Sequence, residues 1–174
     1  MVTSRVGEHP VPESGTYEID PAASSVNFRM RTVFGLFPVR GSFRITRGRI
    51  DVAGPVEKST VDVRIGADTF ESGVARRDEH VRSADYLDVV THPEFAFRGD
   101  GVEVGSDGTV LKGELTVLGV SRPVDVTVES VTVEGRGLTV VASAVVDRYA
   151  FGVTTAKGMT GRRLNVRLDV RATR

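Results

Sequence analysis

Apolar and polar residues alternate with a period of two along most of the chain. Over residues 24–32, Val26, Phe28, Met30 and Thr32 fall on one face and Asn27, Arg29 and Arg31 on the other, the pattern of a strand with one wet face. The same alternation predicts strands over 39–46 (Val39, Gly41, Phe43 and Ile45 inward) and over 58–65, where Val61, Val63 and Ile65 oppose Asp62 and Arg64. It continues over 94–104, 109–117, 124–134 and 162–173. Residues 138–146 are apolar on both sides, so both faces are expected to be covered. Gly48 predicts a tight turn into a short extended piece at 49–52. Turn signals recur at Gly105-Ser106-Asp107-Gly108, at Gly119 and at Gly135-Arg136-Gly137. About eight strands with short connections make an all-β chain, an antiparallel meander closed into a barrel or folded into a sandwich.

One stretch breaks the alternation. Residues 72–87, from Ser72 through Arg76-Arg77-Asp78-Glu79-His80 to Leu87, crowd charges among closely spaced apolar residues. Ser72 is a plausible cap and 76–82 favours a helix, so the stretch predicts a short helical insert lying over the strands as a lid. Before the strands, residues 1–14, with Pro10 and Pro12, read as a flexible tail, which leaves one domain over 15–174. The apolar loop Val33-Phe34-Gly35-Leu36-Phe37-Pro38 has no period and asks for a covering partner.

The inward positions are small. Gly41, Gly113, Ala142 and Ala144 stand among valines, and the chain has no Trp. An eight-stranded barrel has room for its own side chains or for one ligand. Small inward residues tip that balance toward a cavity; the alternative is that the glycines only let strands bend.

Composition narrows the function classes. The 174 residues carry 23 Lys plus Arg against 23 Asp plus Glu, a balance that favours neither nucleic acid nor an anionic membrane as partner. No cysteine is present, which removes disulfides, thiolate catalysis and zinc-thiolate sites. There is no transmembrane-length apolar run and no apolar leader after Met1. The chain as written is therefore expected in the cytoplasm, or exported if the native start lies elsewhere.

The three histidines, His9, His80 and His92, share no metal-ligand spacing, so no metal site is expected. His80 shares a helical face with Arg76 and Arg77, but Asp78 lies on another face, and an acid/base role lacks its orienting carboxylate. Asp147-Arg148-Tyr149-Ala150-Phe151-Gly152 reads as an Arg–Asp pair closing a barrel end, with Phe151 as plug. No nucleophile elbow, phosphate-cradling loop or carboxylate dyad is present.

Several ordered motifs carry a resemblance. Asp20 with Ser25-Val26-Asn27-Phe28, Gly41-Ser42-Phe43, Arg77-Asp78-Glu79-His80 with Ser83, Asp85 and Asp88-Val89, and Pro93 with Phe97 come first. Gly113 to Val120 with Pro123-Val124, and Asp147 to Gly152, follow. Together they resemble the YceI-like family over about residues 15–173. Tyr17 stands where that family often has Trp, and Val81 where it often has Leu. The resemblance implies a lipocalin-like antiparallel barrel with a helix packed across it. It also implies a long amphiphile inside: an isoprenoid, an isoprenoid quinone or a fatty amide.

On that basis the expected function is non-enzymatic binding, transport or storage of such a lipid, with no other cofactor. The tail is expected against Val26, Phe28, Met30, Phe43, Leu115, Val126, Ala142 and Leu164. Phe34, Leu36 and Phe37 would guard an entrance or form a homodimer contact. Arg77, His80 and Arg148 are candidate head-group contacts beside Phe151. The alternatives are a hydrolase or transferase using His80 on a lipid head group, and a ligand-free stress-response or interaction module.

Overall fold

The computed structural model describes residues 5–32, 37–156 and 161–174. In chain order the strands are β1 (Arg5–Val6), β2 (His9–Pro10), β3 (Gly15–Ile19), β4 (Ser25–Thr32), β5 (Phe37–Val52), β6 (Thr60–Glu71), β7 (Glu94–Gly105), β8 (Gly108–Val117), β9 (Val120–Glu134), β10 (Gly137–Asp147) and β11 (Arg163–Thr173). Among the described residues, one α-helix, α1 (Ala75–Arg82), follows β6, and short 3-10 turns occupy Val56–Lys58 and Arg148–Phe151. The small β1–β2 hairpin falls within the stretch read from sequence as a tail.

β4 through β11 pair antiparallel in sequence order, and β11 closes back on β4, giving the expected eight-stranded barrel. One of its eight staves is made of two pieces. β3 lies between the lower parts of β5 and β11, pairing Tyr17 with Ile50 and Ile19 with Ala172. The chain then turns at Asp20, whose Oδ1 accepts from the Ala22 N–H at 2.9 Å, and β4 takes the same gap higher up. There Phe28 faces Gly41 of β5 and Val166 of β11.

Strand alternation places the side chains as the sequence pattern demands. On β4, Val26 and Phe28 are buried while Asn27, Arg29 and Arg31 are exposed. Ion pairs between neighbouring outer positions, such as Lys112–Asp125 at 2.8 Å across β8 and β9, cover the wet face. The β8–β9 connection needs two successive residues with positive φ, Leu118 at 53° and Gly119 at 72°, which matches the twist of a two-residue hairpin.

Three sequence expectations are corrected. The turn expected at Gly48 is absent: β5 runs for 16 residues through it, bending at bulges between Ser42 and Arg44 and between Ile45 and Arg47. The Ile19 side chain fills the space above Gly48, where a Cβ would come within 2.7 Å of it. β6 does not stop at Ile65 but continues to Glu71, which brings Phe70 into the barrel. Finally, β10 is not covered on both faces, since Val145 on its outer side is 56% exposed.

The small inward residues also work differently from the sequence argument. A Cβ on Gly41 would lie 2.4 Å from the Phe28 ring, and one on Gly113 would lie 2.3 Å from the Phe97 ring. The space a Cβ would fill at each glycine is taken by the tip of a phenylalanine ring. The cavity described next is left by the valines and alanines instead.

Candidate functional site

Inside the barrel is a cavity of about 360 Å³ with an almost entirely apolar wall. Many wall residues point inward yet keep partial exposure: Val140, Ala144, Val146, Leu164, Val166, Leu168 and Val170 are only partly buried. The surface they retain is the cavity wall. Phe28, Phe43, Phe70 and Phe95 gather along one side with ring centroids 5.1–5.7 Å apart, a stiff aromatic flank. The far end is closed by Tyr17, Leu138 and Ala172, which are 1%, 4% and 3% exposed, and the Tyr17 hydroxyl donates to the Glu13 carbonyl at 2.8 Å.

The near end lies under α1 and the turns that follow it. α1 has Val74 at its N-cap with no side-chain cap. Ser72 does not cap the helix but reaches into it: its backbone N–H donates to Asp78 Oδ1 at 2.9 Å, and its hydroxyl donates to the same oxygen. Arg77 Nε donates back to the Ser72 hydroxyl at 2.9 Å, and Arg82 Nη2 donates to the Phe70 carbonyl at the end of β6. Burial pushes the Asp78 carboxyl up, but the two donations from Ser72 and the charges of Arg82 and Arg77 outweigh it and hold the group below its ordinary value. Arg77, Asp78 and Arg82 thus fasten the helix to the barrel.

The loop after β10 meets the lid across the opening. Arg148 is 6% exposed and donates Nε to the Gly161 carbonyl at 2.8 Å, and Nη1 to the carbonyls of Val153 and Thr155 at 2.9 and 2.8 Å. The expected Arg148–Asp147 pair is corrected: Asp147 binds Arg162 at 2.8 Å and accepts from the Tyr149 N–H at 3.0 Å. The hydrogen bond from Arg162 is the main reason its carboxyl sits below the ordinary value; burial opposes the shift, while the Tyr149 N–H and the charges of Arg162 and Arg163 reinforce it. The Thr155 hydroxyl donates to the Asp85 carbonyl, linking lid and loop directly.

The orienting carboxylate that sequence spacing denied to His80 is present. His80 Nε2 donates to Asp85 Oδ2 at 2.9 Å, and its ring meets Tyr86 edge-on at 5.2 Å. Asp85 was missed because it lies past the end of α1, where helical spacing says nothing; the turn after Ser83 brings it back. The pair is open to water, with His80 and Asp85 side chains 55% and 67% exposed.

Twelve of the fifteen residues singled out from sequence line this cavity: Val26, Phe28, Met30, Phe43, Arg77, His80, Leu115, Val126, Ala142, Arg148, Phe151 and Leu164. Phe34 and Leu36 lie outside the described residues. Phe37 is 60% exposed and away from the cavity wall. Sequence reasoning missed Phe70, Val81, Tyr86 and Leu87. Extending the β6 alternation past Gly66 was the available signal for Phe70. The other three follow from the path of the turns after α1, which no periodicity encodes. Arg77, His80, Arg148 and Tyr86 are the ionisable side chains among the described lining residues, and none of them is a carboxylate.

Comparison with known proteins gives a consistent picture. The family model for the YceI-like domain matches residues 17–172. A UPF0312 protein of Azotobacter vinelandii is 38% identical over 102 residues, 57% of this chain and 52% of that protein. Protein YceI of Escherichia coli O157:H7 is 32% identical over 112 residues, 62% of this chain and 58% of its own. The matched stretch thus spans just over half the length of these relatives. Among solved structures, Burkholderia cenocepacia BcnA superposes with a TM-score of 0.79 at 21% identity, over 89% of this chain and 99% of that one. A polyisoprenoid binding domain from Saccharophagus degradans, implicated in plant cell wall breakdown, superposes at 0.69 and 15% identity, over 90% and 97% of the two chains. At such identities the superpositions speak for the barrel alone. It is the family model, spanning nearly the whole barrel, by which the chain belongs to the YceI-like domain family.

Proposed function

We propose that the protein binds an amphiphilic lipid of isoprenoid or fatty type without chemical change, tail in the barrel and head group under the lid, and carries or stores it. The observation that carries this reading is the closed-floored apolar cavity of about 360 Å³ whose open end meets Arg77, His80 and Tyr86. Burying each methylene contributes roughly 0.8 kcal/mol. Ten of them therefore offer about 8 kcal/mol, relative to water, against the entropic cost of association. The polyisoprenoid-binding description of the Saccharophagus degradans neighbour supports an isoprenoid over other tails.

A fluorescent polyene fatty acid tests the reading by gaining emission on entering an apolar cavity. Wild-type protein is expected to take it up. Ala142→Phe, which places a ring among Leu111, Val126 and the cavity, is expected to weaken uptake at least tenfold while the barrel stays folded. Absence of uptake by the wild type overturns the reading.

The His80–Asp85 hydrogen bond favours a second reading, acid/base chemistry on a lipid head group at the mouth. It requires turnover of a lipid ester or phosphoester that His80→Ala abolishes while lipid retention survives. The carrier reading requires that no such turnover be found.

A further inference from the structure

The formal charge of zero hides a division of charge around the barrel wall. β4, β5 and β11 are neighbouring staves and carry nine arginines against two aspartates. The five staves from β6 to β10 carry four cationic residues against eleven carboxylates. We propose that the outer face of β4 and β5, centred on Arg29, Arg40 and Arg44, docks the protein on an anionic phospholipid bilayer. This face is the outside of the barrel, so docking does not depend on what the cavity holds.

Strand register sets Arg29 directly opposite Arg40, and Arg47 directly opposite Arg64. Like charges so placed repel across about 5 Å. Arg29, Arg40, Arg44 and Arg47 are all exposed, and no carboxylate among the described residues pairs with any of them. Glu71, opposite Ser42, borders the cluster without joining it. The two aspartates of these staves are already engaged, Asp51 by Arg49 at 3.1 Å and Asp169 by Arg167 at 3.4 Å. Glu18 of β3 also stands opposite Arg49, so the uncompensated charge lies toward the mouth end. The other wall is different: Asp62 holds Arg64 at 2.7 Å and Asp125 holds Lys112 at 2.8 Å. A cluster that repels itself and has no carboxylate of its own is stabilised by anions from outside.

A bilayer fits this face better than a rigid partner does. The arginines spread over two strands on a convex wall, and from Arg40 to Arg47 they run roughly 23 Å at about 3.3 Å per residue. A rigid protein or stiff polyanion needs a matching hollow to reach them all, whereas mobile phosphate head groups gather around a curved basic surface. The end of the ribbon adds an apolar element. Ser42 and Glu71 form the β5–β6 pair nearest the mouth, so Phe37 to Gly41 pair with β4 alone, and Phe37 is 60% exposed. An exposed ring beside guanidiniums suits the head-group zone, where aromatic rings settle and arginines meet phosphate. A second barrel would offer a convex acidic wall whose carboxylates are partly neutralised, and two convex walls meet only along a line.

The test sediments the full-length protein with vesicles of phosphatidylglycerol and phosphatidylcholine at about 3:7, in salt from about 0.05 to 0.3 M. Partitioning is expected to exceed that onto phosphatidylcholine alone by at least about tenfold, and to fall by a similar factor across the salt range. The triple variant Arg29→Gln, Arg40→Gln, Arg44→Gln should lose at least about tenfold. Arg98→Gln, Lys112→Gln, Arg122→Gln removes the same charge from the opposite wall and should change binding by less than about twofold. Because the first triple removes a repelling pair, it should unfold in urea no earlier than wild type, which separates docking from folding. Arg40→Gln alone, expected to lose about threefold, is read beside it. Phe37→Ser should weaken vesicle binding and leave retention on soluble dextran sulfate unchanged. Equal partitioning onto both vesicle types, or equal losses from the two triples, overturns the proposal. Dextran sulfate held as tightly as vesicles, with Phe37→Ser weakening neither, assigns the face to a soluble polyanion. Salt-labile self-association without vesicle binding assigns it to a second copy of the chain. Either result overturns bilayer docking.

Discussion

At the scale of single residues, the barrel is specified by pairs that sequence patterning does not reveal. Gly113 and Phe97 form one such pair, and Gly41 and Phe28 another: the missing side chain and the large ring are two halves of one packing unit. Gly113→Ala would drive a methyl into the Phe97 ring and against the Arg98 carbonyl, so it should cost about 1–3 kcal/mol, read as a lower urea midpoint with unchanged slope. Phe97→Leu in the same chain should recover part of the loss, and strict additivity would contradict the pairing. Asp78 is a second residue whose role lies in its partners. Asp78→Asn would weaken the Ser72 and Arg82 contacts that dock α1, at roughly 1–3 kcal/mol, so amide exchange of residues 75–92 should speed up while β7–β9 stay protected. Because the folded carboxyl sits below its ordinary 3.8, its contribution is fully present above that pH and is lost only as acid protonates it further down. Wild-type lid exchange, corrected for intrinsic rates, should therefore show no loss of this anchor between pH 5 and 8.

At the scale of elements, the lid helix shows how much was legible and why the rest was not. The break in alternation at Ser72 marked its place, and the charge-rich run marked its helical state, both local properties of the chain. Its fastening is not local. An isolated helix of eight residues is too short to hold itself in water, so α1 depends on Ser72, on Phe70 at the end of β6 and on the loop beyond β10. Spacing rules see only residues three or four apart, and so they offered His80 no carboxylate while Asp85 waited beyond a turn. The strands follow the same division. The alternation at Val26, Phe28 and Met30 reported which face is inward, because burial of one face dictates it. The length of β5 depends on Ile19 filling the space over Gly48 and on bulges that bend the strand without ending it, and these are contacts between distant segments. Helix and strand identities came from periodicity; their ends, and everything at the mouth, came from tertiary contacts.

At the scale of the whole molecule, the described residues form a tube with a buried floor at one end and, at the other, a mouth that lies under a fastened helix. A stave made of β3 and β4 lets one antiparallel barrel seal its floor with Tyr17 and still carry β4 up to the lid. The chain carries equal numbers of basic and acidic residues, while the ionisable residues of the described cavity lining, Arg77, His80, Arg148 and Tyr86, include no carboxylate. On the proposed lipid-binding function, burial in the tube would supply affinity and the mouth would supply selection. The central claim is tested most directly by the mass of the intact protein as gently isolated, recorded under native conditions before and after solvent extraction. The account predicts a fraction carrying one added mass of a single-tailed lipid, lost on extraction and regained when that lipid is returned. A clean unliganded mass throughout, with nothing taken up from an added lipid series, would contradict it.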